Sequence, residues 1–331
     1  MAFPHELLRS GFPYHLTLGQ RRVTTNPMDI GFGKKRIYVL TRSGLGNGVR
    51  VIDWEDENHG IFGEGLFSWP SGLLVDDDEN IYVTDEAKHQ VVIMDKDGNH
   101  IDSWGEQGSD DGQLNRPSGM SFDNKGNILL SDAMNNRVQR FAKNGEFLQS
   151  FGEQGNKEGQ FNMPWGLTVD NDGDIYVADW KNDRIQKFTE SGVFVSSLGS
   201  TGSEKGELLR PTSVDVDSHG DIYVADWQND RVQLFNKDFK YVQSFHGNAS
   251  LSASGKKYIL ANQVTLRLRA MGDFEKTQRL NAPLMVRVDD QFRLFILDFA
   301  NHRIQIYKKD AVELSEQEIA PEMRNPILLT T

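Results

Sequence analysis

The sequence predicts an all-β chain folded as a six-bladed β-propeller of four-stranded antiparallel blades. A leading proline recurs every 47 residues and an aspartate recurs in step with it, at Pro70, Pro117, Pro164 and Pro211 and at Asp85, Asp132, Asp179 and Asp226. The chain has 31 glycines and no cysteine, which suits many short strands joined by tight turns without disulfides. Four-stranded units at a period of about 40–50 residues are typical of propeller blades.

The repeat that begins at Pro164 shows why each unit is expected to contain four strands. Its first strand alternates apolar residues, as in Leu167 and Val169, and Gly173 suits the turn that follows. Its second strand, 175–177, is rich in β-branched and aromatic residues, which favour strands. The third covers 184–188, and the fourth covers 193–198.

Two less regular copies flank these four and bring the total to six. The last begins at Pro283, 72 residues after its predecessor, so 25 residues have been inserted. The first begins at Pro27 and carries Thr41 in place of the aspartate. The last copy ends after its third strand at Tyr307, and segment 14–19 resembles segment 147–152. We therefore expect an N-terminal strand to complete the sixth blade and close a propeller that spans 14–307, which removes open strand edges.

The insertion, 248–282, lies between blades 5 and 6 in a linker that should face the mouth of the central channel. Apolar residues interspersed with polar ones predict a helix within it, and its basic residues contrast with the acidic body. Because long loops in compact domains are usually functional or disordered, we expect a lid-like element. The C-terminal tail, 308–331, is expected to form a short helix followed by an extended strap.

Composition and charge limit the classes of partner. The net charge is −12 and the pI is about 5.2, which argues against nucleic acid as a partner. No stretch approaches the run of about 20 apolar residues that crosses a bilayer, and the N-terminus has no apolar core of signal-peptide length. The expectation is a cytoplasmic monomer without membrane contact.

The repeat closely resembles the pattern of the NHL-repeat family. The residues that carry the resemblance in one copy are Pro164, Gly166, Val169, Asp170, Gly173, Ile175, Tyr176, Val177, Asp179, Asn182, Arg184, Ile185, Gln186 and Phe188. The copies at Pro117 and Pro211 match almost as fully, and those at Pro70 and Pro283 match in part. The resemblance implies a six-bladed propeller, and family members include RNA- and protein-binding domains, extracellular domains of bacterial kinases, and the peptide-amidating lyase.

The resemblance to the propeller of the amidating lyase is distant. That enzyme holds zinc with channel histidines from separate blades, and the predicted inner strands here carry no such set. His89 and His302 occupy the variable position of the Asn-x-Arg motif and are expected to be loop residues rather than ligands. The aspartate and arginine of the motif, such as Asp179 and Arg184, recur in several blades. A structural tie therefore explains them better than catalysis does.

Residues that break the repeat at the expected mouth give the first functional hypothesis. Just after the second-strand aspartate stand Trp180, Trp227 and Phe299 in consecutive blades, whereas the opposite blades carry Arg42, Glu86 and Ala133. Trp165 follows the leading proline of its blade. An aromatic concavity with few polar groups is the usual form of a ligand site. We expect a peptide, a protein or a small amphipathic ligand to bind Trp165, Trp180, Trp227, Phe299 and Arg42; packing between loops is the alternative explanation for the aromatic residues.

A lyase or hydrolase at the channel is the second hypothesis, and RNA binding is a third, weaker one. Asp215 and Arg287 stand at equivalent positions of adjacent inner strands and could pair, while Asp29 replaces the glycine of three other copies. In this hypothesis Arg287, Asp215 and Glu86 are catalytic, with Arg287 stabilising an oxyanion. Asp29, Glu86 and Asp215 would bind one divalent metal, as the channel carboxylates of propeller lactonases do. No organic cofactor is expected.

Overall fold

The computed structural model describes residues 8–19, 23–43, 46–261 and 277–313, and its strands form six four-stranded antiparallel blades. Two strands precede the first blade: β1 (Leu8–Gly11) and β2 (Tyr14–Leu18). Blade 1 contains β3 (Pro27–Phe32), β4 (Ile37–Thr41), β5 (Gly48–Ile52) and β6 (Asn58–Phe62). Blade 2 contains β7 (Pro70–Val75), β8 (Ile81–Asp85), β9 (Gln90–Met94) and β10 (His100–Trp104). The predicted fold class is confirmed.

The remaining blades follow the same order. Blade 3 contains β11 (Pro117–Phe122), β12 (Ile128–Asp132), β13 (Arg137–Phe141) and β14 (Phe147–Phe151). Blade 4 contains β15 (Pro164–Val169), β16 (Ile175–Asp179), β17 (Arg184–Phe188) and β18 (Phe194–Leu198). Blade 5 contains β19 (Pro211–Val216), β20 (Ile222–Asp226), β21 (Arg231–Phe235) and β22 (Tyr241–Phe245). β23 (Pro283–Val288), β24 (Arg293–Asp298) and β25 (Arg303–Lys308) belong to blade 6, and β26 (Asp310–Glu313) follows them.

The hydrophobic core lies between blades rather than within one of them. One cluster joins Tyr176 and Ile185 of blade 4 to Val214 and Phe235 of blade 5, all of them buried. Similar clusters fill the other seams, so each blade buries its faces against its neighbours. The first strands of successive blades contact one another around the central channel, including β23 of blade 6 and β3 of blade 1.

The ring closes as predicted. β2 pairs with β25, so the sheet order of blade 6 is β2-β25-β24-β23, with the N-terminal strand outermost. The two ends of the chain meet a second time, because β1 pairs with β26 in a separate two-stranded sheet. The tail therefore begins with a strand at Asp310–Glu313 rather than with the expected helix. Residues 314–331 lie outside the described residues.

The insertion begins with helix α1 (Ala253–Leu260), whose N-cap is Ser252. The main-chain N–H of Ser254 donates to the carboxylate of Asp56 at 2.9 Å, and Asp56 lies in the last hairpin of blade 1. Asp56 also accepts from Gly19 N, directly after β2. The described part of the insertion thus contacts the outer edge of blades 6 and 1. Residues 262–276 lie outside the described residues, so the lid stays a prediction. Among helices of the described ranges, none is long and apolar enough to span a bilayer.

A buried ion cluster joins the end of blade 6 to blade 5. The ammonium of Lys309, with 1% of its side chain exposed, lies 2.7 Å from a carboxylate oxygen of Asp217 and 2.7 Å from one of Asp221. The hydroxyl of Tyr223 donates to Asp217 at 2.9 Å. Lys309 directly follows β25, so this cluster fixes the chain just after the ring has closed.

Candidate functional site

Two kinds of loop build the face that we call the mouth: the loops between second and third strands, and the linkers between blades. In blades 3 to 6 the second residue after the aspartate donates its N–H to a linker carbonyl, as Lys181 donates to Asn162 at 3.0 Å. In blades 1 and 2 the residue directly after Thr41 or Asp85 makes this bond. The N–H of Arg42 donates to Asn26 O at 3.2 Å, and that of Glu86 donates to Trp69 O at 3.0 Å. The two loop types are therefore adjacent around the whole mouth.

The repeated aspartate and arginine hold these loops in place, and we call this arrangement the bracket. In blade 4 the fully buried Asp179 accepts from Arg184 Nε at 2.9 Å and from Asn162 N at 2.7 Å. Arg184 also donates to the linker carbonyls of Asn156, Lys157 and Gln160. Equivalent pairs join Asp132 to Arg137, Asp226 to Arg231, and Asp298 to Arg303. The aspartate and the arginine of blade 4 thus bond to each other and to the main chain of the linker, which supports the structural interpretation of the motif.

The variable residue of the Asn-x-Arg motif ties one blade to the next. The Nδ1 atom of His89 accepts from Arg116 N at 3.1 Å, and that of His302 accepts from Asn26 N at 3.1 Å. Asn136 and Asp183 accept from the corresponding linker residues of their neighbours. Arg116 and Asn26 have φ values of +55° and +48°. The two histidines therefore stabilise left-handed linker residues, a role that the sequence did not indicate.

The aromatic side of the mouth, which we call the aromatic wall, consists of Trp165, Trp180, Trp227 and Phe299 from blades 4 to 6, all of them half-buried. The rings of Trp165 and Trp180 lie 5.9 Å apart at 48°. The guanidinium of Arg210 lies 5.1 Å from the centre of the Trp180 ring. Trp227 and Phe299 pack instead against the buried cluster that includes Met28 and Leu284. The wall therefore consists of two tryptophans that contact each other and two aromatic residues that also pack against this cluster.

The charged side of the mouth is a network from three blades. The carboxylate of Glu86 lies 3.4 Å from Arg42 Nη1 and 3.0 Å from Arg116 Nη2. Burial raises the pKa of Glu86, and the charges of the two arginines oppose that rise. The guanidinium of Arg42 also lies 4.4 Å from the centre of the Trp69 ring. Glu86 is therefore held between two cations at the rim.

The channel contains a belt of polar contacts across the inner strands of five blades. Arg287 Nη2 donates to Asp29 at 3.0 Å, and Asp29 in turn accepts from Leu73 N of blade 2 at 2.9 Å. In the other direction Asp215 accepts from Thr168 of blade 4 at 2.7 Å and from Val288 N of blade 6 at 2.7 Å. Each aspartate thus accepts a main-chain N–H from the next blade, which ties the inner strands together.

The channel charges stabilise one another against burial. Burial raises the pKa of Asp29 and of Asp215, and the charge of Arg287 acts against the rise in both cases. Burial lowers the pKa of Arg287, but the charges of Asp29 and Asp215 outweigh it and the pKa is raised. The ion pair of Arg287 forms with Asp29 rather than with the expected partner Asp215, whose influence is electrostatic.

The structure divides the predicted site residues between two places. Asp29, Asp215 and Arg287 lie together in the channel, whereas Glu86 lies at the rim with Arg42. Within the described ranges, no group of three or more histidine, aspartate or glutamate side chains is arranged to hold a metal ion. The catalytic and metal-binding roles stay predictions, as do the ligand-binding roles of the aromatic wall.

Sequence reasoning missed three mouth residues, Trp69, Arg116 and Arg210. Each lies in a linker within one residue of a leading proline, at a position whose side-chain direction depends on the linker conformation. A signal was present, because a tryptophan or an arginine next to the repeat proline interrupts the pattern just as Trp165 does.

The fold and the arrangement of this face define the class of protein: a six-bladed β-propeller whose mouth is aromatic on one side and charged on the other. Three segments of the chain are NHL repeats. The model of the NHL repeat matches residues 114–141, 161–188 and 208–235, one segment each around blades 3, 4 and 5. No curated protein matches the chain by sequence.

Solved structures share the fold at low sequence identity. A protein of unknown function from Bacteroides thetaiotaomicron superimposes with a TM-score of 0.66 at 17% identity, over 91% of this chain and 77% of that one. An auxiliary nutrient binding protein from Bacteroides ovatus gives 0.61 at 10% identity, over 91% and 77%. Virginiamycin B lyase from Staphylococcus aureus gives 0.57 at 12% identity, over 91% and 99%. At these identities the likeness is one of fold, and it assigns no activity to this chain.

Proposed function

We propose that the protein is a binding module that takes a peptide, a segment of a protein or a small amphipathic ligand at its mouth. The observation that carries the proposal is the pair Trp165 and Trp180, half-buried and in contact with each other beside the cationic Arg210. The bracket forms in blade 3 with an alanine, Ala133, at the position of Trp180, so the fold does not require an indole there. Large aromatic rings at the rim of a concavity are well suited to bind apolar ligand groups.

The contacts of the channel carboxylates favour binding over catalysis. Asp29 and Asp215 already accept main-chain and side-chain donors on both oxygens, so neither is placed as a free base. Glu86 is held by two arginines. The alternative is a lyase or hydrolase in which Arg287 stabilises negative charge and Asp215 or Glu86 acts as base or metal ligand.

Elemental mass spectrometry of the untagged protein separates these two functions. About one tightly bound divalent ion per chain would favour the enzyme and would direct mutagenesis to Asp29, Glu86 and Asp215, because hard cations bind carboxylates. Protein free of metal would leave the binding function as the better account.

Calorimetric titration with a pool of random heptapeptides tests the binding function directly. We expect Trp180→Ala to weaken binding at least about tenfold, since a stacked aromatic contributes about 1 kcal/mol or more beyond its buried area. Its free energy of unfolding should change little. Trp227→Ala should weaken binding less and destabilise the fold more, because Trp227 packs on the core.

The matched control is Trp54→Ala, since Trp54 lies in the last hairpin of blade 1, on the face opposite the mouth, with the Arg293 guanidinium 3.8 Å from the centre of its ring. Peptide affinity should survive this change. If Trp54→Ala weakens binding as much as Trp180→Ala does, the site does not lie at the mouth.

A further inference from the structure

The charged side of the mouth contains two arginines, Arg42 and Arg116, which we call the arginine pair. They come from blades 1 and 3 and meet at Glu86 of blade 2, which has 7% of its side chain exposed. Each arginine contacts a different oxygen of that carboxylate. The main-chain N–H of Arg116 is itself fixed by His89, so the start of this side chain is well positioned.

The arginine pair has more hydrogen-bond donors than the protein satisfies. A guanidinium carries five N–H donors, and within the described residues Glu86 is the one acceptor of both members of the pair. The group of three therefore carries one net positive charge and several unused donors. Half of the Arg116 side chain, 51%, is exposed, so its free donors are accessible from solvent.

An open aromatic ring lies directly beside these donors. Trp69 has 47% of its surface exposed, and the guanidinium of Arg42 lies 4.4 Å from the centre of its ring. The main chain of Trp69 is fixed on both sides, because its N–H donates to Asp85 and its carbonyl accepts from Glu86 N. The ring thus extends from a fixed main chain and forms an apolar surface next to a cationic one. Burial lowers the pKa of Arg42, because water solvates the buried cation poorly.

We propose that the arginine pair binds a carboxylate group of the ligand and that Trp69 contacts the apolar or aromatic group next to it. This inference rests on the proposed function and narrows its ligand to one with an anionic end. Planar guanidiniums bind carboxylates through paired N–H···O bonds. One surplus positive charge matches a monoanion.

The charge of the rest of the chain opposes more highly charged ligands. With a net charge of −12, the protein repels polyanions at long range, and Glu86 lies within the site itself. A chain of phosphates would need several cations along its path, and the described rim provides an isolated pair here. A single carboxylate, from a peptide C-terminus or from an acidic side chain, needs only the one surplus positive charge that Arg42, Arg116 and Glu86 together provide.

The inference is tested by comparing the affinity of peptides that have a C-terminal carboxylate with the affinity of the same peptides that have a C-terminal carboxamide. A pool of heptapeptides with one central phenylalanine would be titrated with a free C-terminal carboxylate and with a C-terminal carboxamide. We expect the carboxylate form to bind the unmodified protein at least about tenfold more tightly. Arg116→Gln should remove that preference, because it weakens binding of the carboxylate form far more than binding of the carboxamide form. Arg42 still pairs with Glu86 in this variant, so the fold is retained.

A third pool, amidated but with an internal aspartate, identifies the source of the carboxylate. Tight binding of this pool would support the inference with a side chain as the source. The control variant is Arg36→Gln, because Arg36 also lies near an aspartate, Asp97, but on the opposite face. The preference for a carboxylate should persist in it.

The outcomes separate this inference from the proposed function. Equal affinity for both forms of the peptide, lost in Trp180→Ala, would overturn the carboxylate site and leave the binding function standing. Absence of binding by every pool would overturn the carboxylate site and the binding of peptides at the mouth. Salt-dependent binding of single-stranded RNA in place of the peptides would also overturn both and would favour a phosphate ligand.

Discussion

Blades 3 to 5 and blade 1 solve the same structural problem differently. In blades 3, 4 and 5 the aspartate and arginine of the bracket lie 2.9, 2.9 and 2.7 Å apart and hold the linker in the same way. In blade 1 Thr41 takes the place of the aspartate and donates its hydroxyl to Gly48 O, within its own loop. The regular blades hold this loop with an ion pair, whereas blade 1 holds it with a hydroxyl.

Blade 1 also differs from the regular blades in the charged residues that it contributes to the mouth and to the channel. Arg42 and Asp29 both belong to blade 1, and neither has an equivalent in the regular blades. Blade 2 is intermediate, since Gln90 replaces the arginine of its bracket and the ammonium of Lys88 bonds to Leu66 O instead. The blades that lack a bracket residue are therefore the ones in which we expect residues with a role other than holding the linker.

The largest loss of stability is expected at the buried ion cluster of Lys309, Asp217 and Asp221. Replacement of Lys309 by methionine leaves Asp217 and Asp221 buried without their cation, so we expect a loss of roughly 3–5 kcal/mol in the free energy of unfolding. Urea denaturation measures it. Lys308→Met, at the exposed neighbouring position, should cost almost nothing. Equal stability of the two variants would mean that the cluster does not fix the closed ring.

The channel belt should contribute somewhat less to the free energy of unfolding than the Lys309 cluster does. Arg287→Met removes the cation from the buried Asp29, and we expect a loss of about 3 kcal/mol. The double variant Asp29→Asn/Arg287→Met should recover part of it, because the buried charge of Asp29, the ion-pair partner of Arg287, is then also removed. Thermal unfolding of the two variants side by side is the measurement. A double variant less stable than Arg287→Met would show that Asp29 is stabilised without Arg287.

The smallest of the three effects is expected in a regular blade. Arg184→Met removes one arm of a bracket whose aspartate keeps its bonds from Asn162 and Asn182, so we expect a loss of about 2 kcal/mol. Peptide affinity should fall far less than in Trp180→Ala. Lys157→Met, exposed on the same linker, is the control. A loss of binding without a loss of stability would give the bracket a functional role and remove the distinction between the blades.

Much of the fold was predictable because it depends on local patterns. The period of 47 residues, the strand alternation and the turn glycines specify each blade separately, and the incomplete last copy pointed to the N-terminal strand. The position of the aromatic wall followed from the same alignment of repeats. The pairing of β1 with β26 had no such signal, because it joins two segments that lie outside the repeat.

The sequence by itself determined the blades, their number and the class of residue at each mouth position. Tertiary structure decided which of those residues meet. Arg287 could pair with Asp215 on one side or with Asp29 on the other, and ring closure brings Asp29, which is 258 positions distant, to within 3.0 Å. Arg116 reaches Glu86 of the preceding blade from a linker position with a left-handed backbone, at a φ of +55°. Contacts between blades depend on such backbone angles and on ring closure, and neither is encoded in a local pattern.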